Sequence, residues 1–169
     1  MDLESMAAIV DDMAIQHDYP GYDIRSLKMG LPESITKSPA KLFYAALRHD
    51  STLMRLAALR WFWERPSSAR QYTRTIAEAM NDTDEWVRRE AIRVMERLHK
   101  VDDKFTIQLA ERLTDSDVEV RKAAAKALGK LGCTAPQILD LLHKAAEDSD
   151  HEVRWKAQKA LRQLGAYVA

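Results

Sequence analysis

One cysteine, Cys133, stands among the 169 residues of the chain. A lone thiol excludes an internal disulfide and fits a reducing compartment, so a cytoplasmic location is expected. No stretch of 18 apolar residues occurs, so no membrane span is expected. The opening "MDLESMAAIVDDMAIQHD" carries acid where a secretory leader needs basic residues. Motifs that bring chemistry are also missing. There is no H-E-x-x-H, no paired-cysteine motif and no G-x-x-x-x-G-K-[ST] loop, which argues against a metal, a nucleotide or any other cofactor. Cys133 could in principle serve as a nucleophile, but nothing aligns a general base with it. An excess of one charge is missing too. The chain holds 26 Lys and Arg against 26 Asp and Glu, without the clear basic excess usual in nucleic-acid binders. Residues 1–50 are mildly acidic, five basic against eight acidic, and residues 51–169 mildly basic, 21 against 18.

What the chain does have is repetition. "DSDVEVRKAAAKALGKLG" at 115–132 returns 33 residues later as "DSDHEVRWKAQKALRQLG" at 148–165, identical at 12 of 18 positions. At the same spacing the arginines Arg55, Arg88, Arg121 and Arg154 line up, as do Ala58, Ala91, Ala124 and Ala157. A further column reads Phe62, Met95, Leu128 and Leu161. A fixed period of this length indicates a repeat architecture.

Within each copy the apolar spacing is helical. Val87, Ala91, Val94, Met95 and Leu98 trace one buried face. A second apolar helical pattern precedes it, with columns Phe43, Ile76, Leu109, Leu142 and Leu47, Met80, Leu113, Ala146. Each unit is therefore a pair of helices, A then B. Ser38-Pro39 and Thr134-Ala135-Pro136 are expected to open A helices with a capping hydroxyl and a first-turn proline. Gly132 and Gly165 are expected to close B helices, and "RPSS" at 65–68 to break the chain between the first two units. Alternation of the β type is absent. The expected fold is all-α, an α-solenoid of four helix pairs at about 39–66, 67–100, 101–133 and 134–169. Residues 1–38 supply a capping helix, with the apolar stripe Leu3, Met6, Val10 and Met13, and a connector. Whether the connector, 19–39, is ordered or a binding arm stays open.

The phrase "D-x-D-x-x-V-R-x-x-A-x-x-A-L-x-x-L-G" resembles the HEAT-like repeats, in particular the short bacterial kind of the phycobilisome lyases. The resemblance covers roughly residues 39–165. It is strong in the last two units and good in "DTDEWVRREAIRVMERL". It weakens in the first unit, where His49 and Ser51 stand in for aspartates. It implies a superhelical scaffold, and it implies that the first aspartate of each copy and the arginine form a ladder between neighbouring units: Asp82, Arg88, Asp115, Arg121, Asp148 and Arg154. The lyase relatives add one alternative, a bilin-lyase-like chaperone activity. HEAT-repeat deoxyhypusine hydroxylases hold metal through several His-Glu pairs, and the single pair His151-Glu152 argues against that site.

In repeats of this kind the face of helix B opposite its buried stripe lines the concave surface. The columns there read Arg60, Arg93, Lys126, Lys159; then Leu56, Arg89, Lys122, Trp155; then Trp63, Glu96, Gly129, Arg162. Acidic Glu119 and Glu152 border them. This is a basic stripe with a tryptophan near each end, suited to an anionic partner. The expected partner is an acidic protein or peptide bound without catalysis, with nucleic acid in the same groove as the alternative.

Overall fold

The computed structural model describes residues 1–16, 37 and 39–166; the side chains of residues 13–16, Met13 among them, lie outside the description. The connector expected at 19–39 falls, apart from Lys37 and Pro39, outside the described residues. Among the described residues regular structure is helical throughout.

Helix α1 spans Leu3–Gln16. The first pair is α2 (Ala40–Ala46) and α3 (Thr52–Glu64). In the second pair the A helix is broken into α4 (Pro66–Ala69), a 3-10 turn at Arg70–Tyr72 and α5 (Thr73–Glu78), followed by the B helix α6 (Glu85–Arg97). The third pair is α7 (Asp103–Glu111) and α8 (Val118–Leu131), the fourth α9 (Pro136–Ala145) and α10 (His151–Gln163). The B helices α3, α6, α8 and α10 pack side by side, and the A helices touch one another far less.

Local chemistry explains the helix ends. Asp84 accepts N–H bonds from Trp86 and Val87, Asp117 from Val120, and Asp150 from Glu152 and Val153, so each later B helix starts on a carboxylate cap. Gly132 ends α8 at φ 72°, a left-handed conformation that costs glycine nothing. Helix α6 has no glycine there, and His99 takes φ 60° instead. Two expected helix openings are corrected: Pro39 is the residue before α2 rather than in its first turn. The residue before α9 is Ala135, without a side-chain cap, so the Thr134 hydroxyl sits a position too early; Pro136 in the first turn already removes one orphan N–H.

The repeated columns form the core. Ala58, Ala91, Ala124 and Ala157 are fully buried, as are Phe62, Met95, Leu128 and Leu161. The first unit uses aromatics where later ones use aliphatic residues and methionine. Phe43 stacks on Trp61 at 4.3 Å between ring centroids, with Phe62 edge-on to both. Met6 and Val10 of α1 are buried, and α1 packs on α2 and α3, so the N-terminal end of the stack is covered.

Candidate binding face

Three arginines tie the units together. Arg55 donates from Nε and Nη2 to the two oxygens of Asp82 at 2.8 and 2.9 Å. Arg88 holds Asp115 in the same way at 2.9 and 2.7 Å, and Arg121 holds Asp148 at 2.9 and 3.1 Å. The remaining amino group of each, Nη1, donates to two carbonyls at the start of its own unit: His49 and Asp50, Asp82 and Thr83, Asp115 and Ser116. Each ladder aspartate also accepts the N–H two residues on, from Asp84, Asp117 or Asp150. In the first unit His49 Nδ1 accepts the N–H of Ser51 at 3.1 Å and keeps the same turn without an acid. Arg55 belongs to this ladder although sequence reasoning left it out; its place in the arginine column was the signal.

Electrostatics follow from this geometry. Burial alone pushes the Asp115 carboxyl up, but the bond from Arg88, the N–H of Asp117 and the charges of Arg88 and Arg112 outweigh it and hold it below its ordinary value. At Asp148 burial again opposes, and the Asp150 N–H and the bond and charge of Arg121 again win. The Arg88 guanidinium is pushed up, chiefly by its bond to Asp115.

The expected basic stripe is largely paired with its own carboxylates. Arg60 lies 2.9 Å from Glu64, Arg93 2.7 Å from Glu90, and Lys126 3.3 Å from Glu96. Lys130 also reaches Glu96, at 2.5 Å. Lys122 sits between Glu119 and Glu152, and although burial lowers its pKa, the bonds to these two acids raise it overall. Arg89 stacks over Trp86 at 4.2 Å and approaches buried Glu90 at 3.8 Å. Glu64 and Glu90 lay outside the expected site. Their signal, an acid three or four positions from an arginine on the same helix, is visible in the sequence.

Three positions are corrected. Leu56 is buried rather than exposed. Gly129 is buried at the crossing of α8 and α10, where a Cβ would lie 2.9 Å from the Cα of Ala160. Trp63 is half-buried rather than exposed, because the guanidinium groups of Arg60, Arg93 and Arg97 lie 4.8, 5.9 and 4.5 Å from its ring centroid. Trp155 is the tryptophan in the open, 50% exposed, with Lys156 and Lys159 over its ring at 4.8 and 5.1 Å. Arg162 is exposed.

Two gatherings of cations in excess of acids, among the described residues, include members of the expected stripe. One is a cleft of about 440 Å³ lined by Trp63, Arg93, Arg97, His99, Lys126 and Lys130, with Glu96 its one acid. The other is Trp155 with its two lysines. Neither resembles a catalytic centre. Cys133 is half-buried; burial and the charge of Asp103 push its thiol up against a lowering bond with Thr106, which favours the protonated form. Among the described residues no group of three or more His, Cys, Asp or Glu side chains is placed to hold a metal ion. Nor is any described helix long and apolar enough to cross a membrane.

Residues 106–169 match the family model for HEAT repeats. The fold is an α-solenoid, and its third and fourth units are the part that matches the HEAT repeat model. Residues 54–131 also match the model of the sister chromatid cohesion protein PDS5. No curated protein matches the chain in sequence. Among solved structures, an engineered protein from the Northeast Structural Genomics Consortium superposes at a TM-score of 0.61 with 19% identity, over 96% of this chain and 44% of its own. The chain thus spans less than half of that protein. A second engineered protein from the same consortium gives 0.58 at 19% identity, over 98% and 85% of the two chains. A designed armadillo repeat protein in complex with the peptide (KR)4 gives 0.57 at 14% identity, over 96% and 91%. At such identities the likeness is one of fold.

Proposed function

We propose that this HEAT-like solenoid is a non-catalytic interaction scaffold that binds an acidic protein or peptide segment along its B-helix face, in the cytoplasm. The observation that carries the reading is the Trp63 cleft, lined by Arg93, Arg97, Lys126 and Lys130 with Glu96 as its one acid, Arg93 being shared with Glu90 just outside it. An extended acidic segment placed there meets guanidinium groups already stacked on an indole, whose ordering is in part complete before binding. Farther along the face, Trp155 with Lys156 and Lys159 offers a second apolar anchor flanked by charge.

The designed armadillo relative shows that a stack of this kind can hold a peptide, although its peptide, (KR)4, is basic. Charge sign here favours the opposite ligand. The self-pairing of the stripe also bears on the nucleic-acid alternative. Arg60, Arg93, Lys122 and Lys126 already have carboxylate neighbours, so few cations are left to follow a phosphate backbone. The bilin-lyase-like alternative rests on the shared repeat alone.

Fluorescence anisotropy with labelled probes tests the reading: an eight-residue Glu/Asp-rich peptide, (KR)4 and a single-stranded oligonucleotide, with a linear tetrapyrrole followed by its own absorbance. Saturable binding of the acidic peptide, lost in the Arg97→Glu, Lys126→Glu double variant, is the expected result. Preference for (KR)4 overturns it. Preference for the oligonucleotide, with an affinity that falls steeply and log-linearly with salt, transfers the groove to nucleic acid.

A further inference from the structure

Among the described residues the arginine ladder has one more arginine than it has carboxylates. Arg154 on α10 repeats half of the arrangement made by Arg55, Arg88 and Arg121. Its Nη1 donates to the carbonyls of Asp148 and Ser149 at 2.7 and 2.8 Å, so the guanidinium is fixed to the start of its own unit. The other edge, Nε and Nη2, faces no carboxylate among the described residues. In the three inner copies that same edge grips an aspartate of the following unit at 2.7–3.1 Å. The donor fork is thus held in the geometry that binds a carboxylate in two-point fashion, with little further ordering required.

We infer that Arg154 is a carboxylate socket that docks a helix-opening aspartate of a partner protein on the C-terminal end of the stack, as a fifth rung. Three observations choose this occupant. The inner rungs define the ligand: an aspartate whose Oδ1 also accepts the N–H two residues on. The flank of α10 toward the end carries half-buried Gln158 where earlier copies have buried Leu59, Ile92 and Ala125. A polar flank suits a partner that comes and goes rather than a permanently buried unit. A second copy of this chain is a poor fit. Its first unit offers His49 at the ladder position, an imidazole without paired oxygens, and α1 covers that end. This inference is independent of the acidic-peptide reading of the Trp63 cleft.

The test titrates the full chain with a fluorescein-labelled hairpin of the sequence 101–133, which brings its own Asp115 and contains no tryptophan. Its Asp115→Asn counterpart and the Arg154→Ala chain complete the comparison. The expected result is that either change weakens binding roughly ten-fold or more, the loss of one charge-assisted pair, while Arg97→Glu leaves it unchanged. Equal binding of the acid and amide hairpins, or binding indifferent to Arg154, overturns the socket. A detached hairpin need not hold its shape, so a second arm fuses a copy of 134–166 after Ala169 and follows thermal melting. A drop on Arg154→Ala that disappears when the added aspartate is already asparagine supports the socket; additive drops overturn it. Sedimentation of the full chain is the third arm. Self-association abolished by Arg154→Ala replaces the partner protein with a second copy and overturns the choice of occupant.

Discussion

Arg121 on α8 holds Asp148 ahead of α10 through two N–H···O bonds of 2.9 and 3.1 Å, and its third nitrogen holds the carbonyls of Asp115 and Ser116. One side chain therefore fastens two units and the turn of its own. Both members are largely buried, 15% and 14% exposed at the side chain. Arg121→Ala strands a carboxylate and two carbonyls together. A cost of about 3 kcal/mol is expected, on the order of 10 °C in melting temperature for a chain of this size. Calorimetry of the variant is the check, with Arg74→Ala as control, since Arg74 pairs with Glu78 on the surface. A melt that moves no more than the control's removes the ladder as a source of stability.

The same rungs set an acid limit. Asp115 and Asp148 both titrate below the ordinary 3.8, because the arginine and backbone donors overcome the opposing effect of burial. A carboxyl depressed in the folded state contributes stability that is complete above its unfolded value, about 3.9, and is lost as pH falls through its folded value. Stability is expected to be flat with respect to these two groups from pH 7 to about pH 5 and to drop below pH 4. Urea midpoints across that range measure it. The Arg121→Ala curve should be shallower below pH 4 than that of the wild type; parallel curves would mean that Asp148 owes nothing to Arg121.

Glycine carries two different burdens in neighbouring positions. At Gly129 a Cβ would lie 2.7 Å from Gln163 Oε1 and 2.9 Å from both the Cα and the Cβ of Ala160. The Gln163 side chain can swing away, but the backbone of α10 cannot. Gly129→Ala should therefore destabilise by about 1–3 kcal/mol, despite the roughly 1 kcal/mol that alanine normally adds to a helix. Gly132 has open space around it but φ +72°, so Gly132→Ala should cost about 1 kcal/mol through backbone strain alone. Combining each with Gln163→Ala separates the two. Gly129→Ala should be partly rescued and Gly132→Ala not at all, as read from chemical denaturation.

The architecture was written in columns that the eye can align. Arg88, Ala91 and Met95 recur at a fixed offset, and a recurring offset in a helical repeat is a recurring environment. The ladder between neighbouring units came from the resemblance, and its bonds join residues 27 apart, Arg88 to Asp115. Departures from the columns were harder to read. Leu56 resembled an exposed member of its column and is buried, because the first unit does not share the surroundings of the inner ones. The basic stripe was visible as charge but not as net charge. Glu90 sits where other copies have Ala57, Ala123 and Lys156, and only packing shows that its buried carboxylate takes up Arg93. Trp63 likewise reads as exposed on a helical wheel, which ignores three long arginines lying over it.

That internal neutralisation gives a direct handle on binding. Glu96 is the single acid of the Trp63 cleft and engages Lys126 at 3.3 Å and Lys130 at 2.5 Å. Both lysines are about half exposed, so the pairs add little to stability, at most about 1 kcal/mol. An acidic ligand must compete with Glu96 for the same two ammonium groups. Glu96→Gln keeps the shape, removes the competitor and leaves no buried unpaired charge. Its melting temperature is expected to stay within about 3 °C of the wild type, while affinity for the Glu/Asp-rich peptide rises several-fold, about five-fold for each 1 kcal/mol of competition removed. Affinity for (KR)4 should move the other way. A variant that melts normally and binds the acidic peptide no more tightly would place the ligand away from this cleft, and the Lys156, Lys159 and Trp155 cluster would be the next position to reverse in charge.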